Sequence, residues 1–270
     1  MQNLDADDNG NLVVAKRVAK ERLASLTEPQ SRHFRKTKTK RFTGFKAHIL
    51  GDVVSGLITS ISVTSGNKHD GALAHRLLSR AQRVCDDIER VFGDTAYGGA
   101  TLRHDVKYQL GVEIMAPPPP ANGKKNNGKK RSDFEVDFEK DIVTCPAGMP
   151  ASSSSKTWHS AYGRQAPVMN WNQDKCDACP LRAKYLPKNH RSRKLILHPH
   201  EEELRQARSL WQNEEFRAEY KRRSECERLI NQVIRHGGRR ARAFGLQAAN
   251  LQGYLIVMRC NLALLARALA

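Results

Sequence analysis

The chain has 270 residues, 39% of them hydrophobic, which is enough for one large or two modest domains with a core and excludes a wholly disordered polymer. Lys and Arg number 46 against 28 Asp and Glu, a formal net charge of +18, so the expected partner is a polyanion, nucleic acid first, bound with strong salt dependence. No apolar run reaches the roughly 18 to 20 residues that span a bilayer, and the opening MQNLDADDNGN is not signal-like; no membrane partner and a cytoplasmic location are expected.

Residues 1–30 read as a polar arm with one short strand at 11–14, and no strand is expected around Asp5, Asp7 and Asp8. SRHFRKTKTKR at 31–41 carries Lys36, Lys38 and Lys40 among arginines; it reads either as a solvated loop or as one that contacts phosphates. From 44 to 64, alternating Phe45, Ala47 and Ile49, turn residues at 51–56 and a β-branched run predict a hairpin with Asp52 in its turn. Asp70 is expected to cap a helix whose Leu73, Leu77, Leu78, Ala81 and Val84 recur at helical spacing. Ile88, Val91, Phe92 and Gly93 then form a buried strand that stops at Asp94, placing a carboxylate at a strand's carboxyl end, where open α/β sheets hold ligands. A helix around Leu102 and a strand at 112–115 complete an alternation that argues for a mixed sheet covered by helices.

Four prolines at 117–120 and the basic ANGKKNNGKKR break regular structure. Residues 134–199 combine a strand-like FEVDFEKDIVTC, a Ser-rich turn at 152–155 and little core-like hydrophobicity, and read as an insertion. The expected division is an arm at 1–40, the first part of the main domain at 41–115, a linker and Cys-containing insertion at 116–199, and a helical remainder at 200–270. At 246–269, Leu251, Leu255, Met258, Leu262 and Leu265 mark a core-packing helix. Of six cysteines, Cys85, Cys226 and Cys260 read as small core residues, whereas Cys145, Cys176 and Cys179 offer three zinc ligands. No histidine stands at a spacing that makes it the fourth, so the simpler reading is an unmetallated knuckle.

Near the end, Tyr220, Arg223 and Glu227 are spaced by three and seven and fall on one helical stripe. Glu227 and the distant Asp94 can share a divalent cation, with Mg²⁺ the natural match for carboxylate oxygens. Arg223 can orient Glu227 or contact a DNA phosphate, and Arg235, Arg239 and Arg240 add a basic segment.

Taken in order, SLTEPQSRHFRK, GFKAHILGD, SGLITSISVTSGNKHDG, GDTAYGG, the CPAG to CDACPLR block and YKRRSECER resemble insertion-sequence DDE transposases, from about residue 20 to the end. The resemblance implies an RNase H-like catalytic domain, here α/β with a mixed sheet and flanking helices interrupted by the basic, Cys-containing insertion. It also implies Mg²⁺ and cleavage and transfer of DNA strands, with element ends and target DNA as partners; a homo-oligomer is compatible. Asp94 with Tyr97 matches the family's D-x-x-Y, and Tyr220, Arg223 and Glu227 match its Y-(2)-R-(3)-E. The lysine six residues further on is replaced by Ile234 with Arg235 beside it, Tyr185 stands where relatives tend to carry one more cysteine, and no first catalytic Asp is found. The expectation is therefore a transposase in a truncated or incomplete copy, inactive alone. A silent remnant that binds DNA through 31–41, 124–131 and 235–242 is the alternative, and a stand-alone zinc module a third.

Overall fold

The computed structural model describes residues 4–6, 10–14, 22–35, 37, 39–85, 87–120, 131–186 and 189–270. The chain forms two compact units, one of Met1–Tyr97, Asp105–Met115 and Ala218–Ala270, the other of Gly98–His104 and Ala116–Arg217.

In the first unit, the strand expected at 11–14 forms as β2 (Leu12–Val14), antiparallel to β1 (Leu4–Ala6). Asp5 thus stands on a strand, contrary to expectation; Asp7 and Asp8 lie outside the described residues. Strands β3 (Arg32–Arg35), β4 (Arg41–Gly51) and β5 (Ile58–Ser65) form an antiparallel sheet in that order. Much of the segment read as a loop at 31–41 is therefore a hairpin arm, with Arg32 paired to Gly44 and Phe34 stacked on Phe42 at 5.5 Å. Charge hides this strand in the sequence, because an edge strand carries charged side chains that discourage pairing with other chains. Lys40 closes the turn, its N–H donating to Thr37 Oγ1 at 3.0 Å, while Lys36 and Lys38 lie outside the described residues. Asp52 holds the β4–β5 turn by accepting from the N–H groups of Val54 (3.0 Å) and Ser55 (2.8 Å).

The residue that caps the next helix is His69, whose Nδ1 accepts from the Gly71 N–H at 3.1 Å; Asp70 instead pairs with Lys46 at 2.8 Å. Helix α1 (Ala74–Ala81) buries Leu77, Leu78 and Ala81 and ends before Val84, which is exposed. Strand β6 (Arg90–Phe92) leads through α2 (Ala100–Leu110) to β7 (Glu113–Met115), which pairs with it in parallel. A parallel pair needs such a crossover, and a helix supplies it. The elements are those of a mixed α/β chain, but among the described residues no ladder is mixed: β6–β7 and β3-β4-β5 remain separate sheets.

Elements α3 (Gln173–Asp177), α4 (Arg182–Tyr185) and α5 (Glu201–Leu210) belong to the second unit. That unit also holds the hairpin of β8 (Glu135–Asp137) and β9 (Ile142–Thr144) and the antiparallel sheet of β10 (Ser153–His159), β11 (Arg164–Asn170) and β12 (Lys194–Ile196). The Ser-rich stretch is a strand rather than a turn, because β11 supplies hydrogen-bond partners along all seven residues of β10, and edge pairing overrides weak local propensity. Nor is a core lacking: Phe134, Val143, Met169, Trp171, Leu195 and Leu197 form a buried cluster.

Along the chain, α6 (Glu214–Tyr220), a 3₁₀ turn (Lys221–Arg223) and α7 (Ser224–Val233) replace the single helix expected through 220, 223 and 227. Tyr220, Arg223 and Ser224 keep right-handed helical dihedrals, so the stripe is tightened rather than broken. A wider turn (Ile234–Gly238), reversed at Gly237 with φ +94°, precedes α8 (Leu246–Leu269).

Helix α8 packs on β5, joining Ile256, Val257 and Cys260 to Ile58, Ile61, Leu229 and Val233. The face it buries is not the leucine stripe: Leu251, Leu255, Met258, Leu262 and Leu265 are exposed, while Ala249, Gly253, Ile256, Val257 and Cys260 are buried. Close approach decides this, since a Cβ at Gly253 would come within 3.1 Å of Ile61 Cδ1, and leucines on that face would hold helix and strand apart. No helix among the described residues is long and apolar enough to cross a membrane.

Candidate active site

The first unit contains a cleft of about 670 Å³ walled by β4, β6, α1 and α7. Asp94 lines it from just past the end of β6, and Glu227 lines it from the first turn of α7. The sequence places these acids 133 positions apart, and the fold sets both on one wall system. Gly93 has to be a glycine here, because a Cβ would meet the Tyr97 side chain at 2.9 Å. Asp94 Oδ1 accepts from the Ala96 N–H at 2.8 Å, which starts the 3₁₀ turn Thr95–Tyr97 and fixes the carboxylate.

From the opposite side, the Tyr220 hydroxyl donates to the Gly93 carbonyl at 3.0 Å, tying the end of α6 to the residue before Asp94. Arg223 Nη2 lies 3.3 Å from Glu227 Oε1. The second oxygen of each acid has no protein partner among the described residues, so both can offer a lone pair to a hard cation. Within the cleft, burial, with the charges of Asp70 and Asp94 adding to it, pushes the Tyr97 phenol up to about 12, so it stays neutral near pH 7. Burial likewise raises the Cys226 thiol above its ordinary range. At the rim, Arg90 bonds both oxygens of Glu219 at 2.9 Å, and Arg222 lies over Phe92, 5.7 Å from the ring centre.

The remaining basic residues expected to meet DNA gather in the turn after α7. Arg235, Arg239 and Arg240 are exposed, and Gln252 of α8 braces the turn, its Nε2 donating to the carbonyls of Gly237 (3.3 Å) and Arg240 (2.7 Å) while its Oε1 accepts from the Arg242 N–H (2.9 Å). Of the cysteines read as core, Cys260 is buried and Cys226 half-buried in the cleft, but Cys85 is exposed because α1 has ended before it.

In the second unit, Cys145, Cys176 and Cys179 line one cavity of about 50 Å³ together with Arg193. Their sulfurs do not form a triad within ligand reach, and Tyr185, at the position of the relatives' extra cysteine, donates its hydroxyl to Asp133 at 2.6 Å. The triad that does gather among the described residues is His104, His200 and Glu203, with ligand atoms within 4.8 Å of one another. It escapes sequence reading because His104 and His200 are 96 positions apart with no motif between them. Its geometry suits a clasp better than a cation: the two imidazoles stack at 3.8 Å and 21°, so their in-plane lone pairs do not converge, and Arg164 Nη1 lies 2.6 Å from His200 Nε2. His104 Nδ1 pairs with Glu203 Oε1.

His198 lies beside this clasp. Burial first, then His200, Arg131 and Arg164, push its pKa from 6.5 down to about 4, against the pull of Glu203. Between those limits the unfolded chain binds a proton that the folded chain refuses, so His198 contributes stability above about pH 6.5 that is lost as pH falls towards 4. The unfolding midpoint read by tryptophan fluorescence should therefore fall between pH 7 and 5, all three tryptophans lying in this unit. His198→Gln should flatten the fall; an unaltered slope in the variant would assign it to other groups.

Comparison with known proteins adds one finding: the family model described as transposase DDE domain matches residues 144–266, a stretch that includes Arg223, Glu227, the arginines of the basic turn and the three clustered cysteines. No curated protein and no solved structure matches the chain. That match supports a DDE transposase catalytic domain over residues 144–266, somewhat under half of the chain.

Proposed function

We propose that this protein is a transposase that cleaves and rejoins DNA strands at the unit-one cleft, with Asp94 and Glu227 as two acids of an RNase H-like active site that takes Mg²⁺. The observation that supports the reading is that both acids line one cleft, each held through one oxygen and open at the other. Bound Mg²⁺ would supply charge stabilisation at the attacking and leaving oxygens of an in-line phosphodiester displacement. The chain's own residues do the rest. Tyr220 pins the Gly93 carbonyl and so the backbone that presents Asp94; Arg223 orients Glu227 and offers the remaining guanidinium N–H groups to a phosphate. Neutral Tyr97 and Cys226 add no further anion to a cleft that must admit a polyanion. Lys36, Lys38 and Lys40 and the braced turn with Arg235, Arg239 and Arg240 hold the DNA backbone. In this reading no residue is assigned the part of the first acid.

One observation favours the alternative, a catalytically silent protein that still binds DNA: among the described residues no three carboxylates come within ligand reach of one another. Duplexes carrying the element's ends separate the two. Strand cleavage that requires Mg²⁺ or Mn²⁺ supports the enzyme. Binding whose affinity falls steeply with salt, without cleavage in either metal, supports the silent protein; the absence of both would remove both readings.

A further inference from the structure

The segment between α7 and α8 carries more than charge. Residues 234–245 contribute Arg235, Arg239, Arg240 and Arg242, all exposed, and contain no carboxylate of their own. Beside these arginines stands Phe244, 75% exposed. Single exposed apolar side chains are ordinary on a protein surface, but this one is held in an unusual way. Ahead of it, Gln252 fixes the backbone at Gly237, Arg240 and Arg242. Directly behind it, the Gly245 N–H donates to Glu28 Oε2 and the Leu246 N–H to Gln30 Oε1, each at 2.6 Å. Gly245 itself takes φ +89°, a conformation that a glycine adopts freely and an L side chain rarely does, and so turns the chain into α8 just after the ring. The backbone is thus braced on both sides of an aromatic side chain that folding leaves uncovered. Bracing of this kind lowers the ordering cost of a contact with something outside the fold.

We propose that Phe244 is a base-stacking residue: the arginines of the braced segment hold DNA phosphates while the Phe244 ring stacks on an unpaired nucleobase, so that this surface selects locally unpaired DNA over intact duplex. The role rests on the reading of this protein as a DNA transposase and adds a contact that phosphate binding does not supply. Chemistry selects the occupant. Guanidinium groups call for phosphate oxygens, an exposed ring calls for a flat apolar face, and a nucleic acid with an unstacked base offers both side by side. In an intact duplex each base face is covered by its neighbours, and uncovering one costs a few kcal/mol. A ring fixed on the protein surface therefore gains its contact only where a base is already free. Every base has such a face, so the ring distinguishes the state of the strand and not its sequence. The segment begins where α7 ends, and α7 carries Glu227 in its first turn, about 15 Å back along the helix axis. A free base near a strand break is thus the form of DNA that a protein cutting at Glu227 would present to Phe244.

Fluorescence anisotropy on the nuclease-treated full chain, with a labelled duplex and the same duplex carrying one unpaired base, reads the result. The wild type should bind the second form more tightly, and Phe244→Ala should weaken that binding by about 5- to 100-fold while leaving intact-duplex affinity unchanged. Phe244→Trp should restore the preference. The unfolding midpoint of Phe244→Ala should match the wild type, because the ring is exposed. Arg239→Ala with Arg240→Ala gives the contrast, weakening both forms alike and lowering the salt slope. With 2-aminopurine as the unpaired base, stacking should quench its fluorescence on wild-type binding, and Phe244→Ala should lose most of the quench. A wild type that binds both forms equally, a Phe244→Ala variant that keeps the preference, or binding without quenching would each overturn the stacking role and leave DNA binding standing. A wild type that binds neither form would overturn the DNA-binding reading and the stacking role together.

Discussion

Asp94→Asn and Glu227→Gln should each abolish divalent-dependent cleavage of element-end DNA, by about 10³-fold or more, while leaving the fold intact. The magnitude follows from the work asked of a metal-bound carboxylate: several kcal/mol of charge stabilisation disappear with it, at about 1.4 kcal/mol per tenfold in rate. The fold should survive because both acids are exposed, and the chosen amides keep the bonds the structure does use. The amide oxygen introduced by Asp94→Asn would still accept from the Ala96 N–H, and that introduced by Glu227→Gln would still reach Arg223. Salt-dependent DNA binding should persist in both variants, since the basic turn held by Gln252 is untouched. Loss of binding together with cleavage would mean that the substitutions damage the unit rather than the chemistry.

The largest effect on stability should come from two asparagines of α8. Asn250 accepts from the Val63 N–H at 2.8 Å and donates to the Val63 carbonyl at 3.1 Å. Asn261 does the same to Ile58, at 2.9 Å in each direction. Each amide thus serves the outer edge of β5 as a neighbouring strand would, at two of the buried positions of that strand. Alanine at either site leaves a backbone donor and acceptor buried without partners, a cost of about 1 to 3 kcal/mol per group. We expect losses of about 2 to 3 kcal/mol for Asn250→Ala and for Asn261→Ala in urea unfolding, and about 4 to 6 kcal/mol for both together. That is a large part of the roughly 5 to 15 kcal/mol typical of a domain. Asn261→Asp discriminates the mechanism: a carboxylate can accept from the Ile58 N–H but not donate to its carbonyl, so it should destabilise nearly as much as alanine. A double variant within about 1 kcal/mol of wild type would show that these bonds do not hold helix to strand.

What could be read from the sequence follows from where the physics is local. The place of the strand before Asp94 was legible because a short apolar run and a glycine mark it, but its burial was not: Ile88 lies outside it, Arg90 is exposed and Val91 and Phe92 are half-buried, lining the cleft; the β4–β5 hairpin was legible from its turn residues and alternation. The period of α8 was legible too, but its orientation was not. Hydrophobicity points to the leucines, whereas the buried face is chosen by small residues and by asparagines whose value lies in backbone groups about two hundred positions away. Edge strands β3 and β10 were hidden by charge and by serine, since their stability comes from a partner strand and not from their own propensities. The stripe of Tyr220, Arg223 and Glu227 survived as an arrangement although not as one helix, because a 3₁₀ turn alters the pitch without reversing the face. The clasp of His104, His200 and Glu203 had no local signal, its members meeting only through tertiary packing.

Whether Asp94 and Glu227 act on one cation is most directly measured by titrating the protein with Mn²⁺, following free metal by electron paramagnetic resonance, in the wild type, Asp94→Asn, Glu227→Gln and the double variant. A shared site predicts that each single substitution weakens binding at least about tenfold and that the second adds little to the first, the non-additivity of residues that serve one ligand. Wild-type affinity in either single variant, or losses that simply add, would show that the two carboxylates do not hold a common ion.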